Sequence, residues 1–135
     1  MMRIATTLLF LALLSPVSAS AQKKLDAQIY ELRTYTTNEG LLPNLHKRFQ
    51  EHTNRLFVKH GMHLIGFWTP ADEDNKLIYI LAFPSAKDRE KSWQAFRDDP
   101  EWQEVYEASK EEAGGPIVDK VESVIMVPTD YSPIR

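Results

Sequence analysis

The sequence predicts an α+β fold, a single antiparallel-type sheet of four strands with helices on one face. Three observations carry that expectation. Four segments rich in β-forming residues are separated by stretches with helical period or helix caps. They follow the order β-α-β-β-α(α)-β. The third of them, Leu77-Ile78-Tyr79-Ile80-Leu81-Ala82-Phe83, is apolar on both faces and so belongs in the centre of the sheet, covered on both sides.

Each element follows from local chemistry. Ala27 to Tyr35 alternates and is rich in β formers, which predicts the first strand. Thr36 to Gly40 is a turn cluster. From Leu41 to His60, Leu42, Leu45, Phe49, Leu56 and His60 recur at helical spacing, and Gly61 follows as a C′ stop. Met62 to Thr69 predicts a second strand, Pro70 to Asn75 a polar hairpin loop, and Lys76 to Phe83 the third strand. Ser85 with Asp88 marks a capping-box-like start for a helix reaching about Asp98. Asp99 as N-cap with Pro100 behind it restarts the chain as a new helix, with Trp102, Val105, Tyr106 and Ser109 on its inner face. Gly114-Gly115-Pro116 ends it, and Ile117 to Val127 is the last strand. This is the ferredoxin-like βαββαβ arrangement. Its helices cover one face only, while the third strand is apolar on both. The simplest cover for the bare face is a second copy of the same sheet, so the expected state is a homodimer closing into an α+β barrel.

The first 21 residues are set apart from this fold. Arg3 gives a positive start, Thr6 to Leu14 a short apolar run, and Ala19-Ser20-Ala21 a cleavage site. That is the pattern of a secretory signal peptide, and the run is too short to span a bilayer of roughly 30 Å. The expected mature domain is 22–135, exported to the periplasm or medium, with no membrane span after signal removal. The chain has no cysteine, which excludes thiol catalysis, Cys-ligated zinc and Fe–S clusters. Its net charge of −3 gives no basic surplus for nucleic acid or anionic lipid. Glycine-rich phosphate loops, HExxH and G-x-S-x-G are absent from the sequence.

Four strings, in order, resemble the NIPSNAP family. They are Tyr30-Glu31-Leu32-Arg33-Thr34-Tyr35 followed by Gly40, then His60-Gly61-Met62-His63-Leu64-Ile65-Gly66-Phe67-Trp68. The strand ending in Ala82-Phe83 with Asp88-Arg89 behind it comes next, then Asp99-Pro100-Glu101-Trp102. The resemblance implies the dimeric α+β barrel superfamily, whose members include monooxygenase-like, isomerase-like and haem-degrading enzymes. Many of these hold a ligand inside each protomer, between sheet and helices.

The residues that bear chemistry are few. Glu31, Arg33 and Tyr35 stand at i, i+2 and i+4 of the first strand and share a face. On a central strand, a carboxylate beside a guanidinium is costly to bury unless the two are paired. As the floor of a pocket, Arg33 would bind an anionic or carbonyl ligand, and Glu31 would orient it or move a proton. As a structural pair, the two neutralise each other in the core or across the dimer. If Tyr30, Leu32 and Thr34 face the helix instead, the pair belongs to the dimer interface. On a 100° wheel, His52 falls inside the apolar stripe. It is expected there as a general base, an axial haem ligand or a core histidine. His60 and His63 flank Gly-Met without a metal-ligand spacing. Trp68 and Tyr79 are either core or dimer aromatics or the walls of a flat-ligand pocket. The expectation is one cavity lined by His52 and at least one of Glu31, Arg33 and Tyr35. Function divides between a homodimeric module binding a small apolar or aromatic ligand without a cofactor, and a cofactor-independent or haem-linked oxidoreductase. Intact mass of the secreted protein should place its N-terminus at Gln22; a species retaining Met1 would refute export with cleavage.

Overall fold

The computed structural model describes residues 28–135. The expected signal peptide and Ala27 lie outside them. The four strands are β1 (Ile29–Thr37), β2 (His63–Trp68), β3 (Lys76–Phe83) and β4 (Val118–Met126), in the sheet order β2-β3-β1-β4 with every pairing antiparallel. Three helices connect them. Helix α1 runs without a break through Leu42–Arg48, a π turn at Phe49–Thr53, and Asn54–Lys59; α2 is Ala86–Asp98 and α3 is Pro100–Ala113. This is the ferredoxin-like βαββαβ order. Among the described residues, no helix is long and apolar enough to cross a membrane.

The strand alternation sets the two faces. Arg33 pairs with Tyr79 of β3 and Ser123 of β4, and these side chains point towards the helices together with Glu31, Tyr35, Leu77 and Leu81. The core lies there: Leu45, Phe49, Leu56 and Phe57 of α1 pack with Tyr79, Leu81 and Phe83 of β3 and with Trp93 and Phe96 of α2. β1 continues two residues past the expected Tyr35, because β-branched Thr36 and Thr37 still pair with β4 across a bulge.

Helix α1 is where a simple 3.6-residue wheel fails. The amide of Asn54 bonds the Phe49 carbonyl five residues back, and the Thr53 hydroxyl bonds the Arg48 carbonyl at 3.2 Å. A turn closed by i→i+5 bonds holds more residues than an α turn. The inward position after Phe49 therefore falls on Thr53, which is buried, and not on His52. Past it, the stripe resumes at Leu56 and Phe57.

The helix caps fall where the sequence places them. Ser85 accepts the Asp88 amide at 3.1 Å, and Asp99 accepts that of Glu101 at 2.9 Å. Helix α3 differs from expectation in one respect. None of its residues is buried: Trp102, Val105 and Ser109 are half-buried and Tyr106 is exposed. The inner side of α3 stands over clefts instead of packing on the sheet.

The opposite face of the sheet carries Tyr30, Leu32, Ile78, Ile80 and Val124, with Trp68 at its β2 edge. Val124 is 55% and Trp68 50% exposed. The C-terminal tail, through Pro128 and Ile134, borders a cavity of about 310 Å³ over Tyr30, Ile80 and Met126.

Gly61 ends α1 at φ 79°, with the Met62 amide on the Phe57 carbonyl and its own amide on that of Val58, a Schellman pattern. A Cβ there would meet only Ser92 Oγ at 3.6 Å, an ordinary contact. Gly61→Ala should therefore cost the left-handed penalty alone, roughly 1–2 kcal/mol, read as a lowered urea midpoint with unchanged slope.

Candidate functional site

The site is built outward from one carboxylate. Glu31 is 0% exposed, yet its two oxygens accept five hydrogen bonds. Arg89 of α2 approaches with Nε on Oε2 and Nη2 on Oε1, each at 2.8 Å. Trp93 Nε1, one helical turn further on, reaches Oε2 at 2.7 Å. Ser123 Oγ of β4 donates at 2.7 Å, and Arg33 Nη1 at 2.8 Å. Burial alone would raise the pKa of this carboxyl. The bonds from Arg89, Ser123, Trp93 and Arg33 outweigh it and bring the pKa down to about 2.

Arg33 is held on three sides. Nε donates to Tyr79 Oη at 3.0 Å and Nη2 to Tyr35 Oη at 3.3 Å, while the plane lies 4.4 Å from the Trp93 ring centre. Burial pulls its pKa down, but Tyr35, Tyr79 and Glu31 hold it above the usual guanidinium value. A guanidinium has five N–H groups. Three are engaged here, and the rest are free for a ligand. Arg33 and Arg89 both line a cleft of about 660 Å³ beside α2, walled by Tyr35, Trp93, Phe96 and Trp102 and edged by Lys91, Arg97 and Glu90. Two guanidiniums share one carboxylate, so the cleft carries surplus positive charge next to flat apolar surfaces.

A second, smaller lobe of about 190 Å³ shares Tyr35, Phe96 and Trp102 with the first and runs towards α1 and β4. Arg48 lines it. This residue, at the last α turn before the π segment, is only 4% exposed. Its Nη1 donates to Ser109 Oγ at 3.3 Å, and Nε has no hydrogen-bond partner. The guanidinium sits 5.3 Å from the Tyr106 ring centre and 5.6 Å from that of Trp102. Burial lowers its pKa. Among the described residues, no carboxylate forms an ion pair with it.

The residues expected from sequence divide accordingly. Glu31, Arg33, Tyr35 and Tyr79 come together: Arg33 and Tyr35 line the cleft, Tyr79 is fully buried beneath Arg33, and Glu31 anchors the group. His52 does not join them. Its side chain is 41% exposed, 3.8 Å from Glu51, in an outer groove between α1 and α3, because the π turn gives the inward place to Thr53. The expected common cavity of His52 with Glu31, Arg33 or Tyr35 is therefore not formed. Trp68 points to the opposite face of the sheet, at its β2 edge, and is 50% exposed. His60 is bound to Asp99 at 2.7 Å, and His63 is exposed on β2. Among the described residues, no histidine lines either lobe, so the residues there do not fit a histidine-ligated haem. Sequence reasoning passed over Arg48, Arg89 and Ser123. Arg48, three residues after Leu45, is a charge at the edge of an apolar stripe, and Arg89 with Trp93 forms an i, i+4 pair. Both signals were visible; Ser123 gave none.

Fold and site together define an α+β sheet-and-helix domain with an aromatic-walled, basic cleft beside α2. The NIPSNAP family model matches residues 30–133, and the chain belongs to that family. Among solved structures, a NIPSNAP-like domain protein from Burkholderia xenovorans superposes with a TM-score of 0.70 at 20% identity, covering 80% of this chain and 90% of its own. A NIPSNAP family protein from Agrobacterium tumefaciens gives 0.70 at 24%, covering 82% and 96%. SnoaB, a cofactor-independent oxygenase from Streptomyces nogalater, gives 0.55 at 11%, covering 79% and 98%. At these identities the likeness is one of fold. No curated protein matches.

The pH dependence of stability follows from Glu31. Its folded pKa of about 2 lies below the ordinary 4.5. The stabilisation is therefore complete above about pH 4.5 and is lost as pH falls towards 2, roughly 3 kcal/mol in all at about 1.4 kcal/mol per unit. Glu31→Gln should lower stability at pH 7 by about 3–5 kcal/mol, the cost of breaking a buried pair, and remove one proton from the acid slope. Urea unfolding between pH 2 and 7 measures both.

Proposed function

We propose that the chain is an exported, homodimeric NIPSNAP-domain protein that holds a small aromatic organic anion between its sheet and its helices. The observation that carries this reading is the Arg33–Arg89 pair on one carboxylate. Glu31 neutralises only one of the two cations, and both retain free N–H groups at the wall of a cleft lined by Trp93, Phe96 and Trp102. A guanidinium fork matches a carboxylate, and the ring faces match a flat apolar body. The role is binding. Glu31, saturated by five donors and ionised at neutral pH, is a poor proton carrier, so it serves to hold the arginines in place. The oxidoreductase alternative has only the likeness of fold to SnoaB behind it.

Export is supported by the signal pattern in residues 1–21. Dimerisation is supported by the apolar sheet face, where Val124 and Trp68 stay largely exposed in the single chain. With the Arg33 group turned towards the helices, the dimer contact does not depend on it.

The probe is naphthalene-2-carboxylate, followed by quenching of Trp93 and Trp102 fluorescence. Arg33→Met keeps the stem against Trp93 and removes the fork. It should weaken binding by roughly 10- to 150-fold, the worth of a charge-assisted contact, while light scattering still reports a dimer. Unchanged affinity would refute the pocket, and a monomeric wild-type protein at micromolar concentration would refute the dimer.

A further inference from the structure

Among the described residues, Arg48 is a buried cation without an ion-pair partner, and nothing in the Arg33 cleft explains it. A guanidinium taken out of water carries a desolvation cost of several kcal/mol unless a partner charge and hydrogen bonds repay it. The buried carboxylate Glu31, by contrast, has five such bonds. Arg48 has one, to a serine hydroxyl at 3.3 Å, and its Nε has none. The faces of Trp102 and Tyr106 repay part of the cost. The rest is left open, and the group borders a cavity.

Two spaces reach Arg48. The outer groove between α1 and α3 is lined by Glu51, Glu104 and Glu112 as well as Lys47, so it repels an anion. The inner lobe is lined by Tyr35, Thr53 and Tyr106, with Asp119 at its β4 side as the one acidic group. It also shares Tyr35, Phe96 and Trp102 with the Arg33 cleft, so the two spaces adjoin along those rings.

We infer that Arg48 is the receptor for a second acidic group, and that the ligand of this domain is a flat molecule with two planar oxyanion groups, one on Arg33 and Arg89 and one on Arg48. This rests on the binding reading above and narrows it to a class: aromatic or extended apolar diacids. Arg48 binds rather than supports the fold, because its charge stabilises the ligand-bound state and not the empty one.

The test compares naphthalene-2-carboxylate with naphthalene-2,6-dicarboxylate on the full dimeric protein by the same fluorescence titration. In the wild type, the diacid should bind at least about ten-fold more tightly, the lower worth of one charge-assisted contact. Arg48→Met should bring that ratio close to one, and Arg48→Gln, which keeps a donor for Ser109, should do the same. Ligand-free Arg48→Met should melt no lower than the wild type, since it removes an unpaired charge. A wild-type ratio near one, or a ratio that survives both substitutions, overturns the second receptor while leaving the Arg33 cleft standing. A melting temperature that falls in Arg48→Met as far as in Glu31→Gln makes Arg48 a structural residue and overturns the inference. Failure of both probes to bind the wild type overturns the binding reading and this one together.

Discussion

The structure depends on the satisfaction of the carboxylate of Glu31 at the centre of the sheet. Glu31 has no contact with water, so each of its lone pairs must find a donor inside the protein. The donors come from β1, from β4 and from two turns of α2. Meeting that requirement fixes the register of β4 against β1, the rotation of α2 about its axis and its height above the sheet. The orientation of Arg33 is a by-product. Once Nη1 is committed to Glu31, and Tyr79 and Tyr35 take two further N–H groups, the plane of the guanidinium can only lie against Trp93. An electrostatic requirement of the core has thereby become a preorganised surface for a ligand.

The interior space has a different origin. Helix α1 fills its side of the sheet with large aromatic and aliphatic residues, but the π turn at Phe49–Thr53 shifts the stripe and places small Thr53 where the wheel predicted a histidine. Helix α3 contributes no buried residue and stands over its neighbours with Trp102 and Tyr106 as props. The lobe in front of Arg48 lies between these features. Unusual helical geometry beside a cavity is a common companion of function.

Most of the fold was legible because its signals are local. Caps at Ser85 and Asp99, the stop at Gly61 and the apolar run of β3 each state their structure within a few residues. The clustering of Glu31, Arg33 and Tyr35 was legible too, since a strand alternates strictly. The misplacement of His52 shows where that legibility ends. An i→i+5 turn leaves no mark in the pattern of apolar residues until the helix is packed, and one such turn is enough to rotate a side chain out of the interior. Trp68 followed the strand alternation to the face opposite the helices, which aromatic character alone did not reveal. Arg48 was readable as a charge on the edge of the stripe; its lack of an ion-pair partner among the described residues was not, because that is a property of three packed elements.

The bond between Ser123 and Glu31 joins residues 92 positions apart. β4 is also the last strand of the described residues, and it pairs with β1 from Tyr30 to Thr37. Any chain ending before Ser123 leaves the carboxylate one donor short and the central strand with a bare edge. The barrier to folding thus includes closing a loop almost as long as the domain, and the gain arrives only on closure. Assembly of this sheet is coupled from end to end: β1 gains its β4 neighbour, and Glu31 its last donor, only across a separation of 92 positions.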